Sequence, residues 1–245
     1  MSSEETMKIA EELYNKGHIS YPRTETEVFK EGTDLLELIK KQVHSPEWGG
    51  FAHGLAEGRF VWPRKGKHDD NAHPPIHPTA LVTDLEGKPK KLYEYIVRYF
   101  LACCAPDAIG AETSVTADIA GEVFTCKGTM VKQRNWLEVF KYETWSNSTI
   151  PVFVQGQGFV PSEIRMTSGS TTAPRPLKEH DLIQLMDRHG VGTDATIAQH
   201  ITTVQDRNYA VKNPVSHDFT PTILGKALVT GCDALHPALS RLSSD

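Results

Sequence analysis

The apolar residues of this chain change period twice, and that change restricts it to a mixed helix and strand architecture. From Glu4 to Lys16, Met7, Ala10, Leu13 and Tyr14 share one face at helical spacing, and Gly17 is placed to end the helix. From Glu112 the period becomes two: Val115, Ala117 and Ile119 alternate with Thr116 and Asp118, and Gly121-Glu122 marks a hairpin turn. Strand is expected to about Ile164. After a Ser/Thr/Pro/Gly linker at Thr167 to Pro176, helical spacing returns over His180 to His189 and Ala195 to Arg207. Further helices are predicted at Asp34 to Val43 and Leu92 to Cys104, flanking a basic, irregular Pro/Gly-rich stretch from Ser45 to Pro78. The order helix, strand, helix over 245 residues exceeds one typical domain of roughly 100 to 200, so an α+β multidomain chain is expected.

Composition excludes several classes. Hydrophobic residues make up 39% and charged residues 23%, as in soluble globular proteins, and no apolar run reaches the roughly 18 residues of a membrane span. Cys103, Cys104, Cys126 and Cys232 have no C-x-x-C spacing, which points away from a zinc ribbon or a secreted disulfide framework and toward a reducing intracellular compartment. A net charge of -5 argues against coating duplex DNA by bulk electrostatics, while leaving room for a local basic groove along one strand. Arg59, Arg64, Lys65 and Lys67, interleaved with Phe60 and Trp62, have the composition of such a groove, and equally that of a solvated loop. The chain opens inside a helix, which suggests a piece of something longer, although Met1 equally fits a genuine start.

Three segments carry chemistry. In Ile19-Ser20-Tyr21-Pro22-Arg23-Thr24-Glu25 the proline holds Tyr21 extended, so its phenol and the Arg23 guanidinium should share a face. Thr24 and Glu27 have the spacing of a capping box that would open a helix there. A tyrosine nucleophile beside an arginine suits attack on a phosphodiester, because arginine grips two phosphate oxygens and an aryl phosphate ester conserves the bond for resealing. Taken alone, such a tyrosine is more often an amphipathic packing residue. In Asp70-Asn71-Ala72-His73-Pro74-Pro75-Ile76-His77-Pro78-Thr79 the prolines forbid the helix that would align His73 and His77 as a metal pair; a braced loop offering His73 to a phosphate or sugar is the functional reading. In His189-Gly190-Val191-Gly192-Thr193-Asp194-Ala195-Thr196 a glycine turn leads to a helix capped by Thr193 or Asp194, whose N-terminus could bind a phosphate, with Thr196 and Arg207 in support.

Together, in this order, the three segments resemble the type IA DNA topoisomerases, and within them the eukaryotic topoisomerase III branch in its alpha form, over about Glu11 to Gly231. Residues Gly17 to Thr26 are similar to the family's nucleophile motif, Ala72 to Thr79 to its second motif and His189 to Thr196 to its strand-binding motif. The resemblance implies that Tyr21 becomes joined to the 5′ phosphate of a cut strand, that Arg23 steadies that phosphate, and that His73, Thr193, Asp194, Thr196 and Arg207 lie along bound single-stranded DNA. It implies a winged-helix-like unit at 1–107, a β-rich arch or hinge at 108–173 and a truncated helical DNA-binding segment at 174–245.

The same resemblance places the Mg²⁺ ligands and a catalytic glutamate in an acidic N-terminal domain that should precede Met1, and no D-x-D-x-E cluster stands here. The zinc-binding tails common in the family are also not found, and the match fades after Asp233. An active topoisomerase fragment, relaxing or decatenating DNA without ATP but inactive alone for the full cycle, is one expectation; a catalytically inactive single-strand-binding fragment is the other. A winged-helix transcription factor fits less well, since it needs neither Tyr21-Pro22-Arg23 nor the distant glycine turn. A nuclear location, a RecQ-like helicase and an OB-fold scaffold protein complete what the resemblance implies.

Overall fold

The computed structural model describes residues 1–145, 147–148, 150–193 and 195–235. Two compact units are present, each assembled from separated stretches: 1–30, 65–94 and 172–235 in one, 31–64 and 95–171 in the other. Each unit is discontinuous in sequence, and the first 30 residues group with the C-terminal helices.

In the first unit, α1 (Ser3–Asn15) buries Ile9, Ala10 and Leu13, and Ser2 caps it by accepting from the backbone N–H of Glu5. Gly17, at φ 73°, donates to the Tyr14 carbonyl while His18 donates to that of Leu13, a double closure that turns the chain out of the helix. The capping box read at Thr24 and Glu27 opens no helix. Thr24 Oγ1 instead accepts from the N–H of Thr26, and Glu27 accepts from the N–H groups of Lys67 and His68. Thr24 thus closes a local turn while Glu27 pins a distant loop, uses that local spacing does not distinguish from a cap.

The C-terminal part of this unit holds α5 (Glu179–Arg188), α6 (Ile197–Asp206), β3 (Ala210–Lys212), β4 (Phe219–Pro221) and α7 (Ile223–Leu235), with β3 and β4 antiparallel. Elements α5 and α6 fall close to their predicted ranges, whereas the β3–β4 pair and α7 were not expected. Ile197, Ile201 and Phe219 form a core that Leu182, Ile183 and Met186 cover. Element α1 packs on α6, and Glu179 ties the two ends of the chain together: it accepts from the N–H and Oγ of Ser3, at 2.6 and 2.5 Å, and pairs with Lys212.

The second unit contains α2 (Leu35–Lys41), capped by Asp34, and α3 (Gly49–Gly54), a short helix inside the stretch expected to be irregular. The third predicted helix is longer than expected: α4 (Gly87–Cys103) begins before Leu92 and crosses from one unit into the other. Within the second unit it presents buried Val97, Phe100 and Leu101. Strands β1 (Ile109–Ile119) and β2 (Glu122–Gln133) form the expected hairpin, joined by Ala120 and Gly121, both at positive φ. Among the described residues strand structure of the hairpin ends at Gln133 rather than near Ile164; beyond a short helical turn at Asn135–Glu138, Ser148 is the one described residue that bridges back, to Thr129. Most of the apolar residues between 152 and 166, Val152, Val154, Val160 and Met166 among them, are exposed, so alternation there reflects no buried face.

Candidate active site

Residues from all three motifs meet in the first unit. The chain around Tyr21 is extended as expected but pairs only at Ile19, opposite Pro78. Around that bridge, the Ser20 N–H donates to the His77 carbonyl, the His77 N–H to Ser20 Oγ, and the Thr79 N–H to the His18 carbonyl. His77 itself is buried, and that burial pushes its imidazole pKa down; its Nδ1 lies 2.7 Å from the Pro75 carbonyl. Its role is to brace the loop, so the two histidines of the motif divide: one is structural and the other faces the tyrosine.

His73 stacks on Tyr21, with ring centroids 4.6 Å apart and 28° between planes, while the Tyr14 ring meets that of Tyr21 edge-on at 5.3 Å. Asp70 holds His73. Its Oδ2 lies 2.9 Å from His73 Nδ1 and accepts from Thr24 Oγ1 at 2.8 Å, and its Oδ1 accepts from the N–H groups of Ala72 and His73, each at 2.8 Å. Hydrogen bonds from the His73 backbone and ring, with those of Thr24 and Ala72, hold the Asp70 carboxyl well below the usual carboxylate range.

Arg23 donates from Nε to Glu11 at 2.5 Å and from Nη1 to the Ala195 carbonyl at 2.7 Å. Glu11 and Tyr14 are three residues apart on α1, hence neighbours on one helical face, so the same face of α1 serves both Arg23 and Tyr21. This agrees with the shared face expected for the phenol and the guanidinium. The Ala195 contact brings the glycine turn to the tyrosine motif.

That turn is built differently from the expectation. Gly190 and Gly192 take φ 63° and 88°, a region that side chains disfavour, and the helix begins at Ile197, two residues later than predicted. Thr193 is not the cap. Thr196 holds that position, and its Oγ1 faces backward, accepting from the Thr193 N–H at 2.8 Å. Asp194, the other predicted cap, lies outside the described residues. Arg207 is exposed at the far end of α6, about 16 Å from Thr196 at 1.5 Å per residue.

The basic cluster does not gather into one groove within either unit. Arg59 lies 3.7 Å from Glu138 and over the Phe51 ring, and Arg64 lies 3.3 Å from Asp107, all in the second unit. Lys65 and Lys67 belong to the first. Four site residues escaped the sequence reading: Glu11, Tyr14, Thr24 and Asp70. Asp70, three positions before His73 in a proline-braced loop, carried a local signal, an Asx turn of the kind that aspartate favours, whereas the signal at Thr24 pointed to a helix cap.

Among the described residues no group of three or more His, Cys, Asp or Glu side chains is placed to hold a metal ion. No helix among them is long and apolar enough to cross a membrane.

Comparison with known proteins gives a consistent picture. A family model described as DNA topoisomerase matches residues 1–242. Human DNA topoisomerase 3-alpha is 47% identical over 241 residues, covering 98% of this chain and 24% of that protein. DNA topoisomerase 3 of Dictyostelium discoideum is 48% identical over 236 residues, and that of Schizosaccharomyces pombe 43% over 243. The chain thus spans between about a quarter and two fifths of the length of these relatives. Among solved structures, full-length topoisomerase I from Thermotoga maritima shares the fold, with a TM-score of 0.77 at 22% identity, over 99% of this chain and 40% of that one.

Proposed function

Because the chain belongs to the DNA topoisomerase family, among relatives of the eukaryotic topoisomerase 3 kind, we propose that it carries the tyrosine-bearing part of a type IA cleavage site. The observation that supports this most is the stack of Tyr21 on His73 together with the hydrogen bond from Arg23 to the Ala195 carbonyl, 172 residues away, which brings the three motifs together in one unit.

In this reading the Tyr21 oxygen attacks a phosphorus of single-stranded DNA. A Tyr21 O–P bond forms, the bond from phosphorus to the 3′ oxygen breaks, and the phenolic proton ends on the released 3′ hydroxyl. Reversal by that hydroxyl reseals the strand without ATP, after another strand has passed. Arg23 neutralises charge on the phosphate as it gathers in the transition state, once the phosphate displaces Glu11. His73 donates to a phosphate oxygen, and Thr193, Asp194, Thr196 and Arg207 follow the strand away from the cut.

The donor set does not fit Mg²⁺. No trio of ligands converges among the described residues, and both Asp70 oxygens are engaged by Ala72, His73 and Thr24. No step is therefore assigned to a metal on this chain, and the Mg²⁺ implied by the resemblance is proposed to sit on a separate acidic domain. Single-stranded DNA is the proposed partner, with a RecQ-like helicase and an OB-fold scaffold protein as further partners and the nucleus as the location. The partition into a winged-helix-like unit, an arch and a helical segment is likewise part of the proposal.

The test is covalent trapping. The chain, with and without the acidic domain of a topoisomerase 3 relative and Mg²⁺, is incubated with an end-labelled single-stranded oligonucleotide and quenched with SDS. An adduct that Tyr21→Phe abolishes supports the reading. Strand binding with no adduct in any mixture would instead leave an inactive single-strand-binding module.

A further inference from the structure

Asp70 was not assigned a role by the motifs, yet it is the most heavily hydrogen-bonded side chain at the site. One carboxylate oxygen is used up by the N–H groups of Ala72 and His73, which shape the loop; the other takes the Thr24 hydroxyl and faces His73 Nδ1. An ionised carboxylate only accepts, so Nδ1 must carry a proton toward Asp70, and Nε2 is the nitrogen left to meet another group.

The stack constrains what that nitrogen can do. Imidazole lone pairs and N–H bonds lie in the ring plane, and this plane is tilted by only 28° from the phenol, with centroids 4.6 Å apart. In that arrangement the ring presents its face, not its nitrogen, to Tyr21. Neither ring nitrogen therefore points at the phenol ring.

We propose that Asp70 is a positioning residue: it keeps a proton on His73 Nδ1 and holds the ring against Tyr21, so that Nε2, when it too carries a proton, donates to the phosphate and neither nitrogen serves the phenolic proton. Thr24, three residues from Tyr21, joins the same carboxylate and makes the tyrosine segment and the histidine loop move together. The Thr26 hydroxyl, which accepts from the Asp70 N–H at 3.0 Å, adds a second tie. This inference rests on the cleavage reading for its purpose, but not for its physical content.

The two are separable by experiment. In Asp70→Asn the amide oxygen can keep the backbone bonds of Ala72 and His73, which places the amide NH₂ opposite His73 Nδ1. A donor there demands an acceptor, so the ring proton should move to Nε2 with the loop intact. Long-range ¹H–¹⁵N spectra of the full chain read the tautomer directly. The expected result is Nδ1–H in the wild-type chain and Nε2–H in Asp70→Asn, with the backbone amide spectrum changed only near residues 70 to 73. A wild-type ring protonated at Nε2 alone, or a tautomer indifferent to Asp70→Asn, overturns the proposal.

Adduct formation, in whichever mixture traps it, supplies the functional readout. Asp70→Asn, which cannot hold a proton on Nδ1 while Nε2 carries one, should slow it on the order of 100-fold, the scale of a misplaced acid or base. Unchanged trapping alongside a flipped tautomer also overturns a positioning role. If no mixture yields an adduct, the cleavage reading fails and the spectra alone decide whether Asp70 sets the ring.

Discussion

Arg23 is held by Glu11 through a 2.5 Å hydrogen bond, so the cation assigned to a phosphate rests on a carboxylate. Both side chains are partly exposed, which limits the pair to a modest energy. Glu11 acts as a stand-in anion that a DNA phosphate must displace. Glu11→Gln should therefore tighten single-strand binding by about threefold, the equivalent of roughly 0.6 kcal/mol. Arg23→Gln should instead flatten the slope of log affinity against log salt by about 0.7, the value of one phosphate contact on a single strand. Fluorescence anisotropy over a salt series measures both, and a slope equal to the wild-type one would remove Arg23 from the list of phosphate ligands.

Asp70 also predicts an acid sensitivity. Its carboxyl is depressed in the folded chain, above all by hydrogen bonds from the His73 backbone and ring. A carboxylate with a lowered folded pKa stabilises the fold above its unfolded value, near 3.9, and loses that contribution as pH falls toward the folded value. The stability gap between wild type and Asp70→Asn, measured by urea unfolding, should be constant from pH 7 to about 5 and shrink below about 4. A gap that widens in acid contradicts the hydrogen-bond account. Glu27, depressed by the N–H of Lys67 and opposed by its own desolvation, should behave in the same direction.

Two glycines of α7 offer a matched pair. A Cβ added at Gly225 would collide with the carbonyl oxygen of Tyr209, which is backbone and cannot swing aside; one added at Gly231 meets open space. Gly225→Ala should cost about 2 kcal/mol, lowering Tm by roughly 4 to 8 °C, whereas Gly231→Ala should be neutral or stabilise by up to about 1 kcal/mol through helix propensity. Thermal unfolding of the two variants side by side checks this, and equal Tm values would mean that the Gly225 contact relaxes freely.

Thr196 supplies a hydroxyl to the glycine turn, not to the first turn of α6. Thr196→Val keeps the shape but loses the acceptor for the Thr193 N–H, and Thr196→Ser keeps the acceptor. The valine variant should weaken single-strand binding by about fivefold, the loss of roughly 1 kcal/mol, and the serine variant should restore most of it. Identical affinities for the two would show that the turn holds its form without this bond.

What the sequence revealed and what it hid follow from the range of the forces involved. Elements α1, α5, α6 and the β1–β2 hairpin are visible because apolar spacing and turn residues are local signals. Thr24 and Glu27 misled because a hydroxyl and a carboxylate three apart can cap a helix or reach across a loop, and only the position of residues 67 to 70 decides between them. Tyr21, Arg23 and His73 were legible as motif residues. Their supports, Glu11, Tyr14, Thr24 and Asp70, act mostly through partners distant in sequence, where spacing carries no information. The short β3–β4 pair went unseen for the same reason that three-residue strands always do: too few residues alternate to show a period.

The bond between Ser3 and Glu179 joins residues 176 positions apart and fastens the helix that carries Glu11 and Tyr14 to the helix pair behind the glycine turn. A ribosome adding about 5 to 20 residues per second delivers the second partner roughly 9 to 35 s after the first. For that interval the nascent tyrosine segment exists without the scaffold that stacks and tethers it, and is open to nascent-chain chaperones. A circularly permuted chain in which residues 172–235 precede residue 1 would close that interval and reverse which part of the site matures first.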